Sequence, residues 1–250
     1  MRMDNSSWTA AKILLSAASP IQNFFDHGGA THYFINRQAA EILHNDDMKG
    51  MASFIVINID NINRGTSWAD KGWKCFAHYY NPFNHAGLNP WPGALDECSH
   101  YFNLACDNWT KKCIRKSMFF LGAASHIVQD LCVPYHSMCV PFNGHQKYEK
   151  WVKNNYFNYK AGRGGTYTHK SIDEIIHYNA IVSSKYYHYL NVEEETSYHI
   201  VTALLLPLAQ KTTAGLFHLF LNTIKYQKAL AGICVLKNKS SLMQKPPWIT

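Results

Sequence analysis

FFLGAASHIVQDLCVPYH, residues 119–136, decides how this chain reads. From Ser117 to Asp130 it is almost continuously apolar, and at helical periodicity that describes a buried helix. Pro134 stops it. His126 and Asp130 are four residues apart, so on a helix both side chains stand on one face, one turn apart. An ionised carboxylate on such a helix costs several kcal/mol unless a cation compensates it. His136 follows just past the helix end. In GHQKYEKW, residues 144–151, His145 and Glu149 repeat the i, i+4 pairing. Two helices that each offer a histidine and a carboxylate are how helical bundles build metal sites. Imidazole and carboxylate without thiolate suit a catalytic zinc, which keeps a position open for water. The competing reading, a hydrogen-bonded pair on a helix surface, suits one His-x3-Asp better than it suits the whole set.

Outward from this stretch the pattern stays helical. Tyr33–Leu43 has apolar residues at helical spacing, with Thr31 as its N-cap. Met51–Ile62 is an apolar run whose β-branched content leaves its type open. Residues 79–93, YYNPFNHAGLNPWPG, form a loop. Ala94–Lys116 reads as one amphipathic helix and Lys147–Tyr156 as another; residues 160–166 form a loop. Ile172–Leu190 and Ser197–Asn222 are long helices, the second bent at Pro207. The expected architecture is a single all-α domain over residues 1–250, with an N-terminal segment (1–25) and a loose tail (237–250).

Of 250 residues, 47% are hydrophobic and 16% charged, which excludes a disordered chain. The net charge of +7 is not gathered into a basic block. It therefore favours general attraction to anionic surfaces, membranes included, over a nucleic-acid-binding arm. Seven cysteines without a CxxC pair argue against a disulfide framework. Cys132 and Cys139 flank the central motif and read as small buried residues rather than ligands. No run approaches the ~20 apolar residues of a membrane span. The apolar run Ala10–Ala18 is broken by Lys12 and makes a poor signal peptide.

THYFINRQAAEIL (31–43), the central stretch and GHQKYEKW together resemble the bacterial zinc-dependent phospholipases C, and LAQKTTAGLFHLFLNT (208–223) is similar to that family's final helix. The resemblance implies an all-α bundle with three zinc ions in a cleft. It implies that Asp60, His78, His126 and Asp130 hold one zinc, and that His136, His145 and Glu149 hold a second. A third would fall to His32 and a bridging Asp130, completed in the family by an N-terminal Trp; here Trp8 is the only Trp upstream of His32. Asp70 competes with Asp60 as the upstream ligand, and Asp60 is preferred because it closes an apolar run. Catalytic roles fall on Asp60 and Glu149. Asn61 and Phe76 stand near the family's head-group pocket. The implied activity is hydrolysis of the glycerol-side phosphodiester of phospholipids at a membrane or micelle, by a secreted monomer that does not act on nucleic acid. A single-strand nuclease of the same fold and an inactive zinc- or lipid-binding homologue are the alternatives.

Overall fold

The computed structural model describes residues 29–190 and 194–242, with residue 73 and residues 226–242 as backbone alone. Trp8, residues 1–25 and residues 243–250 lie outside the described residues. Helix α1 spans Ala30–Asn45, α2 Lys49–Ile57, α3 Ile59–Ala69, α4 Ala94–Thr110 and α5 Ile114–Asp130. A short α6 (Pro134–Ser137), α7 (His145–Asn155), α8 (Ile172–Ser184) and α9 (Glu195–Leu242) complete the order. There is no strand among the described residues, only an isolated bridge between Asn81 and Ala86. The all-α reading holds.

The centre is α5, buried along most of its length from Ser117 to Asp130. It packs between α3 and α4, with α1 and α9 closing the other sides. Contact between α3 and α5 is at backbone distance. A Cβ on Gly122 would stand 1.9 Å from the Ile62 carbonyl oxygen, and one on Gly65 would stand 1.7 Å from that of Phe119. Only glycine lets the two backbones meet so closely. The crossing fixes the end of α3 beside the end of α5, where the candidate ligands lie.

Several expected boundaries move, and the helix expected over Ile172–Leu190 already ends at Ser184. Helix α1 begins at Ala30 with Gly29 before it, so Thr31 is inside the first turn and caps nothing. The run Met51–Ile62 is helical but breaks at Asn58, whose side-chain amide donates to the Phe54 carbonyl at 2.9 Å. Asparagine side chains compete for backbone bonds in this way. The helix expected over Ala94–Lys116 ends at Thr110, because Lys112 takes a left-handed φ of 60° and the Cys113 N–H turns back to the Asn108 carbonyl.

Pro134 stops α5 and also starts α6, at the first helical position where a missing N–H costs nothing. Helix α9 runs through Pro207 into the tail expected to be loose. Its segment Glu195–Lys225 is long and apolar enough to cross a membrane by length and composition, but 67% of that apolar window is buried inside the fold. It serves as a core helix.

Candidate metal centre

The i, i+4 pairs fall where the sequence puts them. His126 and Asp130 occupy the last turn of α5, and His145 and Glu149 occupy the first two turns of α7. Tertiary packing adds the others. His32 enters from the first turn of α1, His78 from the end of the 3₁₀ turn Gly72–Ala77, and His136 from α6. His78, His126, Asp130, His136 and His145 are all buried.

Two groups of donors result. In the first, Asp130 Oδ2 lies 2.9 Å from His78 Nδ1 and 3.1 Å from His126 Nε2, and those two nitrogens are 3.2 Å apart. Asp70 Oδ1 approaches His126 Nε2 at 3.8 Å, and His32 Nε2 approaches the other Asp130 oxygen, Oδ1, at 3.7 Å. In the second group, Glu149 Oε1 lies 2.8 Å from His145 Nε2 and 3.4 Å from His136 Nε2. The groups abut where His136 Nε2 comes within 4.0 Å of Asp130 Oδ2.

The surroundings set which ring nitrogen faces inward. His32 Nδ1 donates to Gln129 Oε1 at 2.8 Å, and Gln129 donates in turn to Asn36 Oδ1 at 2.8 Å. Ser125 donates to the same oxygen at 3.1 Å, and the Asn36 amide donates to Asn63 Oδ1 and Thr66 Oγ1. This buried network ties α1, α3 and α5 together behind His32. His136 Nδ1 donates to the His78 carbonyl at 3.2 Å. His145 Nδ1 lies 3.4 Å from the Tyr79 hydroxyl, and the Tyr79 ring stacks on His136 with centroids 4.6 Å apart. A partner on one ring nitrogen fixes the tautomer and leaves the other lone pair for a metal.

The carboxylates stay ionised despite burial. Burial pushes the Asp130 carboxyl up, but His126 and His136 beside it, with hydrogen bonds from His126 and His78, hold it well below the ordinary range. Glu149 is also held low: burial raises it, and His145 and His136 more than reverse that. Burial pulls the His126 imidazole down, and the Asp130 carboxylate overcomes this and lifts it to about 9. His136 is raised by the same opposition. Burial lowers His78 and His32.

The donor set fits zinc. Ligand atoms held about 2.1 Å from one ion at tetrahedral angles stand about 3.4 Å from one another; the first group's separations, 2.9–3.8 Å, bracket that value and the second group's, 2.8 and 3.4 Å, reach it. A second sign lies on the far side of the rings, where a metal held by the inward atoms His78 Nδ1, His126 Nε2 and Asp130 Oδ2 would fix both tautomers. The outward atoms, His78 Nε2 and His126 Nδ1, are buried and make no hydrogen bond that would settle the tautomers.

One expectation is corrected. Asp60 is exposed, in the first turn of α3. Asp70 follows the last turn of the same helix, about 15 Å further along its axis, and it is Asp70 that reaches the histidines. An apolar run closing at Asp60 suggested a helix end, but the helix only begins there. Asn61 shares that first turn and does not join the centre, while Phe76 stacks on Trp91 at 5.6 Å. Cys132 is buried and donates to the Val128 carbonyl, and Cys139 contacts the Ala86 carbonyl; neither stands in the two donor groups. The described cysteines are unpaired. Gln129 and Tyr79 were missed as supporting residues: a glutamine in an apolar helix is a usable signal, whereas Tyr79 in its loop offers none.

The family described as zinc dependent phospholipase C matches residues 31–202. The chain is 28% identical over 162 residues to a phospholipase C of Clostridium haemolyticum, covering 55% of this chain and 41% of that protein. It is 29% identical over 120 residues to a phospholipase C of Bacillus cereus, covering 44% and 42%. It thus spans about two fifths of the curated relatives it matches. The alpha toxin of Clostridium absonum superposes with a TM-score of 0.70 at 21% identity, over 80% of this chain and 65% of that one. That of Clostridium perfringens does so with a TM-score of 0.68 at 20% identity, over the same shares. These two share the fold.

Proposed function

Because the chain belongs to the zinc-dependent phospholipase C family, we propose that it hydrolyses the glycerol-side phosphodiester of phospholipids, giving diacylglycerol and a phosphorylated head group. The observation that carries the reading is the meeting of the two donor groups at Asp130 and His136, 4.0 Å apart. A phosphodiester in hydrolysis gathers negative charge on several oxygens at once, and abutting cation sites can meet that charge together.

His78, His126, Asp130 and Asp70 would hold one zinc, and His136, His145 and Glu149 a second. His32 with the free side of Asp130 would hold a third. When bound, zinc supplies positive charge and lowers the pKa of a water toward ~7. The chain's own residues do the rest. Asp130 turns one oxygen to His32 and the other to His78 and His126, so it can join two sites. Asp70, with 28% of its side chain exposed, is the carboxylate open to the cleft, suited to take a proton from the attacking water. Glu149 is the corresponding carboxylate of the second group. The leaving diacylglycerol alkoxide must gain a proton, which solvent at the cleft mouth can provide. In this reading the protein works outside the cell, as a monomer, at a membrane or micelle surface.

The test is to count zinc in the purified protein by elemental analysis and to assay phosphocholine release from phosphatidylcholine micelles. Zinc at two or more per chain with chelator-sensitive release is expected. Release that survives both a chelator and Asp130→Asn would overturn the reading. Cleavage of single-stranded DNA in place of phospholipid would favour the nuclease relative, and zinc without any turnover would favour an inactive homologue.

A further inference from the structure

Two phenylalanines stand out on the loops that carry the candidate ligands. Phe83 and Phe142 are each 69% exposed. Phe83 lies in the loop that leaves His78 and Tyr79, and Phe142 lies between His136 and His145. Isolated exposed hydrophobics are ordinary; what sets this pair apart is how firmly its loops are built.

The tip Asn81–Ala86 is pinned at both ends by side chains. Asn81 Oδ1 accepts the Phe83 N–H at 2.9 Å, Asn84 Oδ1 accepts the Ala86 N–H at 3.0 Å, and the Asn81 N–H bonds to the Ala86 carbonyl at 2.8 Å. Its base is braced on α8: the Tyr80 hydroxyl lies 2.7 Å from His85 Nδ1 and 3.2 Å from His177 Nδ1. The second loop is tied to the first, because Cys139 Sγ contacts the Ala86 carbonyl at 3.5 Å and the Tyr80 N–H bonds to the His136 carbonyl. It also accepts left-handed φ values at Cys139 and Asn143, which cost free energy in residues other than glycine. Holding an apolar ring rigidly in water gains nothing for the free protein.

We propose that Phe83 and Phe142 are the two wedges by which the rim of the metal centre enters a phospholipid surface. The inference rests on the reading that the substrate is a phospholipid. Phe83 follows His78 by five residues and Phe142 lies between His136 and His145, so both rings stand on the loops that leave the metal centre. The exposed Lys150, on the helix after Phe142, suits lipid head-group phosphates. Of the loop's other aromatics, Tyr80 is 2% exposed and Trp91 is stacked on Phe76, so neither is available in the same way.

Sucrose-loaded phosphatidylcholine vesicles, alone or with phosphatidylglycerol, test this by co-sedimentation with the zinc-loaded protein, without reference to turnover. Phe83→Ser and Phe142→Ser should each weaken partitioning about tenfold, as expected for withdrawing one aromatic side chain from an apolar phase. The double variant should lose about a hundredfold. Phe157→Ser, which removes a ring 59% exposed on the 3₁₀ turn after α7, should change little. Thermal midpoints close to the parent's establish that the variants are folded. Vesicle binding unchanged in the double variant, or equally reduced by Phe157→Ser, overturns the proposal. Binding lost through the two phenylalanines in a protein that cleaves no phospholipid would sustain this inference while sinking the proposed activity.

Discussion

Asp130 makes its site by having two oxygens, one toward His32 and one toward His78 and His126. The two upstream carboxylates then separate cleanly by experiment. Asp70→Asn should lower zinc content and reduce phosphocholine release about a hundredfold or more, whereas Asp60→Asn should alter either by less than about twofold, since losing a metal ligand costs more than the 10–100-fold typical of a supporting residue. Tyr79→Phe removes the hydroxyl beside His145 Nδ1 and should weaken zinc at the His136–His145–Glu149 group by about 10–100-fold, read by competition with a chelating dye. Protonation gives a third expectation, for the chelated protein. His126 rises from 6.5 to about 9 on folding, and His136 rises with it. Their contribution to stability is therefore complete below pH 6.5 and is lost as pH climbs through about 9. His32 and His78, being lowered, are neutral in folded and unfolded chains alike over that window and do not oppose the trend. The melting midpoint of the chelated protein should fall between pH 6.5 and 9. Zinc affinity should rise over the same range, because binding expels the proton.

Helices meet here through a few close contacts, and the tightest belongs to α3 and α5. Gly122→Ala places a methyl group 1.9 Å from the Ile62 carbonyl oxygen, so the backbones must part. A loss of about 1–3 kcal/mol or more in urea unfolding is expected. Because α3 delivers Asp70 and α5 delivers His126 and Asp130, zinc retention should fall with it. Gly50→Ala in α2 is the matching control: nothing lies within 4 Å of the added carbon, so stability should hold or rise by up to about 1 kcal/mol from helix propensity. Element boundaries were less legible than element types. Hydrophobic periodicity runs unbroken across Asn58 and up to Lys112, and only a side-chain hydrogen bond in one case and a left-handed residue in the other ends the helix. Such local bonds leave no periodic trace.

At the scale of the whole molecule the candidate metal centre gathers donors from α1, α5, α6, α7 and the segment after α3, so bound zinc should act as a clamp on the bundle. A metal that binds only the folded chain stabilises it by about 4 kcal/mol at a thousandfold excess over Kd, or roughly 8–16 °C for a chain of this size. Chelation should lower the melting midpoint by that order, and a midpoint unmoved by chelator would show that the clamp is absent. The sequence by itself determined the helical class and the pairs His126–Asp130 and His145–Glu149. A period of 3.6 residues forces side chains four apart onto one face, whatever the rest of the chain does. It also marked His32, His78 and His136 through a resemblance that needs only residue order. Tertiary structure alone decided that Asp70 rather than Asp60 faces the histidines, since ten residues of α3 separate two otherwise similar acids and only the Gly65–Gly122 crossing sets which end meets α5. The Asn36–Gln129 network behind His32 and the Tyr79 ring over His136 were likewise decided by packing. Their partners lie tens of residues away, where local spacing exerts no constraint.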